Sequence, residues 1–138
     1  MTETASGPVK DPIMELLARP EEAAVLAVIV GVEGPSYRPV GATMVVFADS
    51  LRAGTLSSGC VESDITLHAL ETLERGQPAL LRYGRGSPFI DIQLPCGGGL
   101  EILLVPDPDR EVLAELARRQ AARVPCTLEV AIETGALA

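Results

Sequence analysis

Ala24 to Val32 is an unbroken run of small, aliphatic and β-branched residues. A strand with one wet face alternates apolar and polar positions, whereas one that is apolar throughout is covered on both faces. The run therefore predicts a central strand with a packed layer on either side. Counted from Ala23 the apolar stretch is 10 residues, short of the roughly 20 needed to cross a bilayer as a helix.

Around that strand the chain divides into recognisable elements. Asp11-Pro12 reads as a helix start, with Asp as the cap and Pro at the first helical position. Ile13, Leu16 and Leu17 give that helix one buried face, and Pro20 stops it. After the central strand, Gly34-Pro35 and Arg38-Pro39 punctuate a loop. Ala42 to Phe47 is a second strand, and Ala48-Asp49-Ser50 turns the chain into a short third strand, Leu51 to Gly54. From Val61 to Arg75 the residues Val61, Ile65, Ala69 and Leu73 form a helical stripe, with Gly76 as the C-cap. Ala79 to Tyr83 is a fourth strand. Phe89 to Leu94 alternates like a short half-exposed one, and Leu100 to Val105 is a fifth. Asp109 caps a helix, Arg110 to Ala122, that buries Val112, Leu113, Leu116 and Ala117; Pro125 to Ile132 is a last strand. The fold class is α/β or α+β: a mixed sheet of about five or six strands with covering helices. With 138 residues this is a single domain, with residues 10–132 as its ordered core.

Composition narrows the function. A net charge of −8 and a pI near 4.6 argue against nucleic acid, whose phosphates call for clustered Lys and Arg. Aromatic residues are 3% with no Trp, which leaves no stacking platform for bases. Met1 to Lys10 lacks the basic-then-apolar order of a signal peptide, so no membrane is expected and the cytoplasm is the expected compartment. Three cysteines and no Cys-x-x-Cys argue against both a disulfide framework and a closed zinc site.

Two glycine-rich bends each hold a thiol. Gly54-Thr55-Leu56-Ser57-Ser58-Gly59-Cys60-Val61-Glu62 is a small-residue turn opening a helix. Unpaired N–H groups and the helix dipole there favour an anion, whether a thiolate at Cys60 or a bound oxyanion. Glu62, near the third helical position, can close a capping box. The plainer alternative makes Cys60 a small buried hydrophobe and Glu62 a cap. Pro95-Cys96-Gly97-Gly98-Gly99 is the second bend. It either admits a bulky ligand close to the backbone or is a bulge between strands. It is neither a phosphate loop nor a dinucleotide fingerprint. Arg38, between two prolines, can pair with an anionic ligand or equally be a solvated loop charge. His68, the single histidine, shares a helical face with Val61 and Ile65 and reads as a packed or half-exposed core residue. Cys126 opens the last strand and reads as structural. Both bends are expected to converge on one hollow.

Three ordered segments carry a family resemblance: Gly34-Pro35-Ser36-Tyr37-Arg38-Pro39-Val40-Gly41-Ala42-Thr43-Met44, Gly54 to Glu62, and Leu94-Pro95-Cys96-Gly97-Gly98. Together they resemble the amino-terminal domain of the XdhC/CoxI family, accessory factors for xanthine dehydrogenase and related molybdenum hydroxylases. The resemblance implies a chaperone rather than a catalyst. Such a protein binds the molybdenum cofactor, protects it while a cysteine desulfurase installs its terminal sulfido ligand, and delivers it to the apo-enzyme. It implies that Cys60, Glu62 and Cys96 face the cofactor, that Gly59, Gly97 and Gly98 make room for it, and that Arg38 holds its anionic end. Cys60 and Cys96 would be the thiols nearest molybdenum, a metal end that suits thiolate. Many members continue into a Rossmann-like second domain, and none is expected within this chain. A homodimer is one arrangement in which the site is shared. Two other readings stand beside this one: a non-catalytic domain that docks a dehydrogenase, and a thiol enzyme with Cys60 as nucleophile and His68 as its base.

Overall fold

The structure, a computed structural model, describes residues 11–34, 38–57, 61–84 and 98–138. In chain order the elements are α1 (Pro12–Ala18), β1 (Ala24–Glu33), β2 (Thr43–Phe47), β3 (Arg52–Gly54), α2 (Glu62–Arg75), β4 (Ala79–Gly84), β5 (Gly99–Pro106) and α3 (Arg110–Ala121). The strands form one sheet in the order β3-β2-β1-β5-β4. The expected mixed sheet resolves to antiparallel pairing at every described interface. A run that is apolar on both faces fixes a strand's burial but not the direction of its neighbours, so this detail was not in the pattern.

β1 lies at the centre of the sheet, and its side chains alternate between two cores. Val25, Ala27 and Ile29 face α2 together with Met44, Val46, Ile65, Tyr83 and Ile102. Ala24, Leu26 and Val28 face α1 and α3 together with Ile13, Leu16, Phe47, Leu103 and Leu113. Each fully buried aliphatic side chain contributes about 1.5–3 kcal/mol, so a strand that fills two cores anchors both layers. The register of β1 against β5 shifts between Ile29 and Gly31. A Cβ on Gly31 would meet the Glu101 carboxylate, the end of a side chain that would have to turn aside.

The helix caps are those read from the sequence. Asp11 Oδ1 accepts from the Ile13 and Met14 amides at 2.9 and 3.3 Å. Asp109 Oδ1 accepts from Glu111 and Val112 at 3.0 and 3.3 Å. Gly76 closes α2 at φ 72°, and Asp49 organises the β2–β3 turn by accepting from the Leu51 amide at 3.1 Å.

Two expectations change. Only Leu113 of α3 is buried; Leu116 is partly buried, because α3 lies at the margin of its core. The strand expected over Pro125 to Ile132 is irregular chain with one bridge, Val130 to Leu137. Its Leu128 and Val130 pack onto the α1–α3 core, so a period-2 pattern reports a half-buried chain rather than a strand partner. Phe89 to Leu94 falls outside the described residues. Among the described residues no helix is long and apolar enough to cross a membrane.

Candidate functional site

Antiparallel pairing makes β1, β3 and β4 run one way and β2 and β5 the other. The last residues of β1, β3 and β4 therefore share one end of the sheet with the first residues of β2 and β5. Glu33, Gly54, Gly84 and Gly99 lie at these strand ends at two levels: Gly54 pairs with Met44, opposite Ala27, whereas Gly84 pairs with Gly99, opposite Glu33 further along β1.

The Gly54 turn is built around one carboxylate. Gly54 has φ 87°, and a Cβ there would lie 2.9 Å from the Thr43 carbonyl oxygen and 3.1 Å from Pro12, so glycine is required. Leu56 is fully buried and pins the turn to the core. Glu62 then reaches back from the first residue of α2. Its Oε2 accepts from Thr55 Oγ1 at 2.5 Å, the Leu56 amide at 2.7 Å and the Ser57 amide at 2.8 Å. Its Oε1 accepts from Ser57 Oγ at 2.5 Å, and Ser57 Oγ accepts in turn from the Val61 amide at 3.0 Å. The expected capping box is absent: Glu62 follows Val61, the N-cap, directly, and binds the preceding turn rather than its own cap. Burial alone would push the Glu62 carboxyl up. Hydrogen bonds from Ser57, Thr55 and the two amides outweigh it and bring the carboxyl down from 4.5 to about 2.

Arg38 joins the same constellation. Its Nη1 donates to the Thr55 carbonyl oxygen at 3.0 Å, which ties the first motif to the second. Arg38, Thr43 and Gly54 also line a groove of about 630 Å³ that α1, α3 and the Cys126–Leu128 segment close from the other side. Cys126 is half-buried there.

The third motif meets the first at a node of glycines. A Cβ on Gly84 would collide with the Gly98 carbonyl oxygen, and one on Gly34 would sit 3.5 Å from Gly98 Cα. Gly34 and Gly84 both have positive φ, at 72° and 84°. At Gly84 the backbone of Gly98 leaves no room for a side chain, and the positive φ of Gly34 favours glycine there as well.

Behind the turn, the Tyr83 hydroxyl donates to Asp64 Oδ2 at 2.6 Å. Burial and the Asp64 carboxylate push that phenol well above its usual range. His68 lies along the same helix with Nε2 3.4 Å from Asp64 and Nδ1 3.3 Å from Glu71; it is half-exposed, as its position on the stripe predicts.

Of the expected site residues, Arg38, Glu62 and Gly98 are thus placed at one end of the sheet. Cys60, Cys96, Gly59 and Gly97 lie outside the described residues. Thr55 and Ser57 were not singled out in the sequence, because nothing in a Thr-Leu-Ser run tells a turn's own hydroxyls from ordinary surface ones. Among the described residues no group of three His, Cys, Asp or Glu side chains could hold a metal.

Residues 17–84 match the XdhC and CoxI family. Over that stretch the chain is similar to the XdhC and CoxI family. It is 40% identical over 107 residues to the molybdenum cofactor insertion chaperone PaoD of Escherichia coli, covering 78% of this chain and 34% of that one. It is 47% identical over 53 residues to a protein of Bacillus subtilis named as a probable xanthine dehydrogenase component, 38% of this chain and 16% of that one. In three dimensions it is similar to a xanthine dehydrogenase of Bacillus halodurans, with TM-score 0.67 and 31% identity, over 82% of this chain and 36% of that one. The chain spans about a third or less of the length of these relatives.

Proposed function

We propose that this XdhC/CoxI domain binds the molybdenum cofactor, protects it during sulfuration and hands it to a molybdenum hydroxylase of the xanthine dehydrogenase type. The observation that supports this reading is that the fold links the motifs pairwise, the first to the second through the Arg38–Thr55 contact and the first to the third through the approach of Gly34 to Gly98. The 40% identity to a protein named as a cofactor insertion chaperone supplies the cargo.

The chemistry of the donor set fits that cargo. Cys60 and Cys96 are the thiols proposed to stand nearest the metal, a partner that suits soft sulfur ligands. Arg38 is proposed to face the anionic end of the cofactor, and Gly59, Gly97 and Gly98 to give a bulky pterin room against the backbone. When bound, the cofactor brings the redox chemistry that its client enzyme uses; the role of this chain is to hold and shield it. The proposed partners are an apo-molybdenum hydroxylase and a cysteine desulfurase, in the cytoplasm, with a homodimer as one form of the holding complex.

The deciding experiment mixes the protein with cofactor released from a molybdoenzyme and measures molybdenum and pterin that co-elute in gel filtration. Wild-type protein should retain both. Cys60→Ser and Cys96→Ser should each lower retention several-fold with the fold intact. Full retention in both variants would remove the thiols from the site, and no retention by the wild type would leave a docking role without cofactor contact.

A further inference from the structure

The turn from Gly54 to Ser57 offers two backbone amides and two hydroxyls that converge on one point. Such a cluster resembles a cradle for a ligand's phosphate. In this fold the cradle is filled from within. A carboxylate has about four lone-pair sites, and Thr55 Oγ1, the Leu56 and Ser57 amides and Ser57 Oγ supply four donors to Glu62. Glu62 is 6% exposed and Ser57 likewise 6%, so the bonds lie inside the protein rather than in a solvated cleft. Charge-assisted bonds of this kind are strong and geometrically demanding.

We propose that Glu62 is a positioning residue, the resident anion of the Thr55–Ser57 turn, which holds Ser57 and Val61, the described residues on either side of Cys60 in the chain, and leaves the cofactor's anionic end to be held elsewhere. The proposal rests on the cofactor-binding reading above and changes one part of it: Glu62 acts through the turn and does not touch the cargo. Covalent proximity gives the reason. Cys60 lies between Ser57 and Glu62, and both ends of that short segment are held by the same carboxylate, Ser57 through its amide and hydroxyl and Val61 through Ser57 Oγ. Removing the carboxylate takes this acceptor from four donors on Thr55, Leu56 and Ser57, before the thiol-bearing segment, and releases Ser57 Oγ, which holds the Val61 amide after it. The Thr55 carbonyl, which receives Arg38, would shift with it.

The test uses the full chain and Glu62→Gln and Glu62→Ala, at a temperature well below each variant's thermal midpoint. Iodoacetamide labelling is followed peptide by peptide, with Cys126 as an internal reference in the same sample. Both variants should change the Cys60 labelling rate several-fold while the Cys126 rate stays constant, and both should retain several-fold less molybdenum after gel filtration. In Glu62→Ala, sodium acetate at tens of millimolar should return the Cys60 rate and the thermal midpoint toward wild type, while sodium chloride of equal ionic strength should not. A lowered midpoint with wild-type Cys60 labelling in both variants would make Glu62 a stabilising group alone and overturn the proposal. So would lost molybdenum retention in Glu62→Gln with labelling and midpoint unchanged, which would mean direct contact. Failure of acetate to act on a folded Glu62→Ala would overturn the resident-anion role, and if that variant does not fold, Glu62→Gln decides by its labelling. A wild type that retains no molybdenum would defeat the cofactor reading yet leave labelling and acetate rescue in force as the test of Glu62.

Discussion

A single carboxylate and a single missing methyl group set the geometry of this sheet end. Gly84 has φ 84° and its missing Cβ would occupy the place of the Gly98 carbonyl oxygen. Gly84→Ala therefore combines left-handed strain with a backbone collision, and should cost about 2–4 kcal/mol, read as a lower denaturation midpoint with an unchanged slope. Gly76→Ala makes the control, since its φ is 72° but nothing lies within 4 Å of the added atom; it should cost only about 1 kcal/mol. At this scale the sequence was partly legible. The need for glycine near Cys96 was visible in the run of three, but the partner of Gly98 was not, because Gly84, in Gly84-Arg85-Gly86, reads as ordinary loop punctuation after a strand. Glu62 stood out as a carboxylate beside a helix start. Its true partners were hidden, because a capping box reaches back only to the N-cap, and this side chain reaches past it to residues 55–57.

Elements were more legible than contacts. Asp11-Pro12, Gly76 and Asp109 punctuate their helices where local rules put them, and the doubly apolar run became the central strand. What the elements do to each other rests on long-range contacts that no window contains. Arg110 is the clearest case. From the first residue of α3 its guanidinium donates to the Leu16 carbonyl at 2.7 Å, to that of Arg19 at 3.0 Å and to that of Glu22. It thus satisfies the open C-terminal end of α1, which no glycine closes. Arg110→Ala removes the guanidinium from all three carbonyls, leaving those of Leu16 and Arg19 only the amides of Arg19 and Glu22, and should destabilise the fold by about 1–3 kcal/mol. Arg110→Lys, with one point charge in place of a planar fork, should recover less than half of that. Thermal melts of the two variants, read beside amide exchange in α1, check both statements.

Across the whole molecule, acid sensitivity follows from the depressed Glu62 carboxyl. A carboxylate whose folded value, about 2, lies below its ordinary 4.5 favours the folded state fully above the ordinary value. That contribution is lost as pH falls from there toward the folded value. Stability should therefore decline by about 2–3 kcal/mol between pH 5 and pH 2 from this group alone. Glu62→Gln should be less stable at neutral pH and show a shallower decline over the same window, which melts at stepped pH will reveal. The strand order carries a further consequence. The central pair joins Val25–Glu33 to Gly99–Pro106, so its two halves are separated by most of the domain, while the family match ends at residue 84. On a ribosome, the hairpin of β1 and β2 emerges early and must wait with its other edge bare until β5 has been made. A chain arrested before Gly99 should thus recruit holdase chaperones or precipitate, even though it already contains the whole matched region.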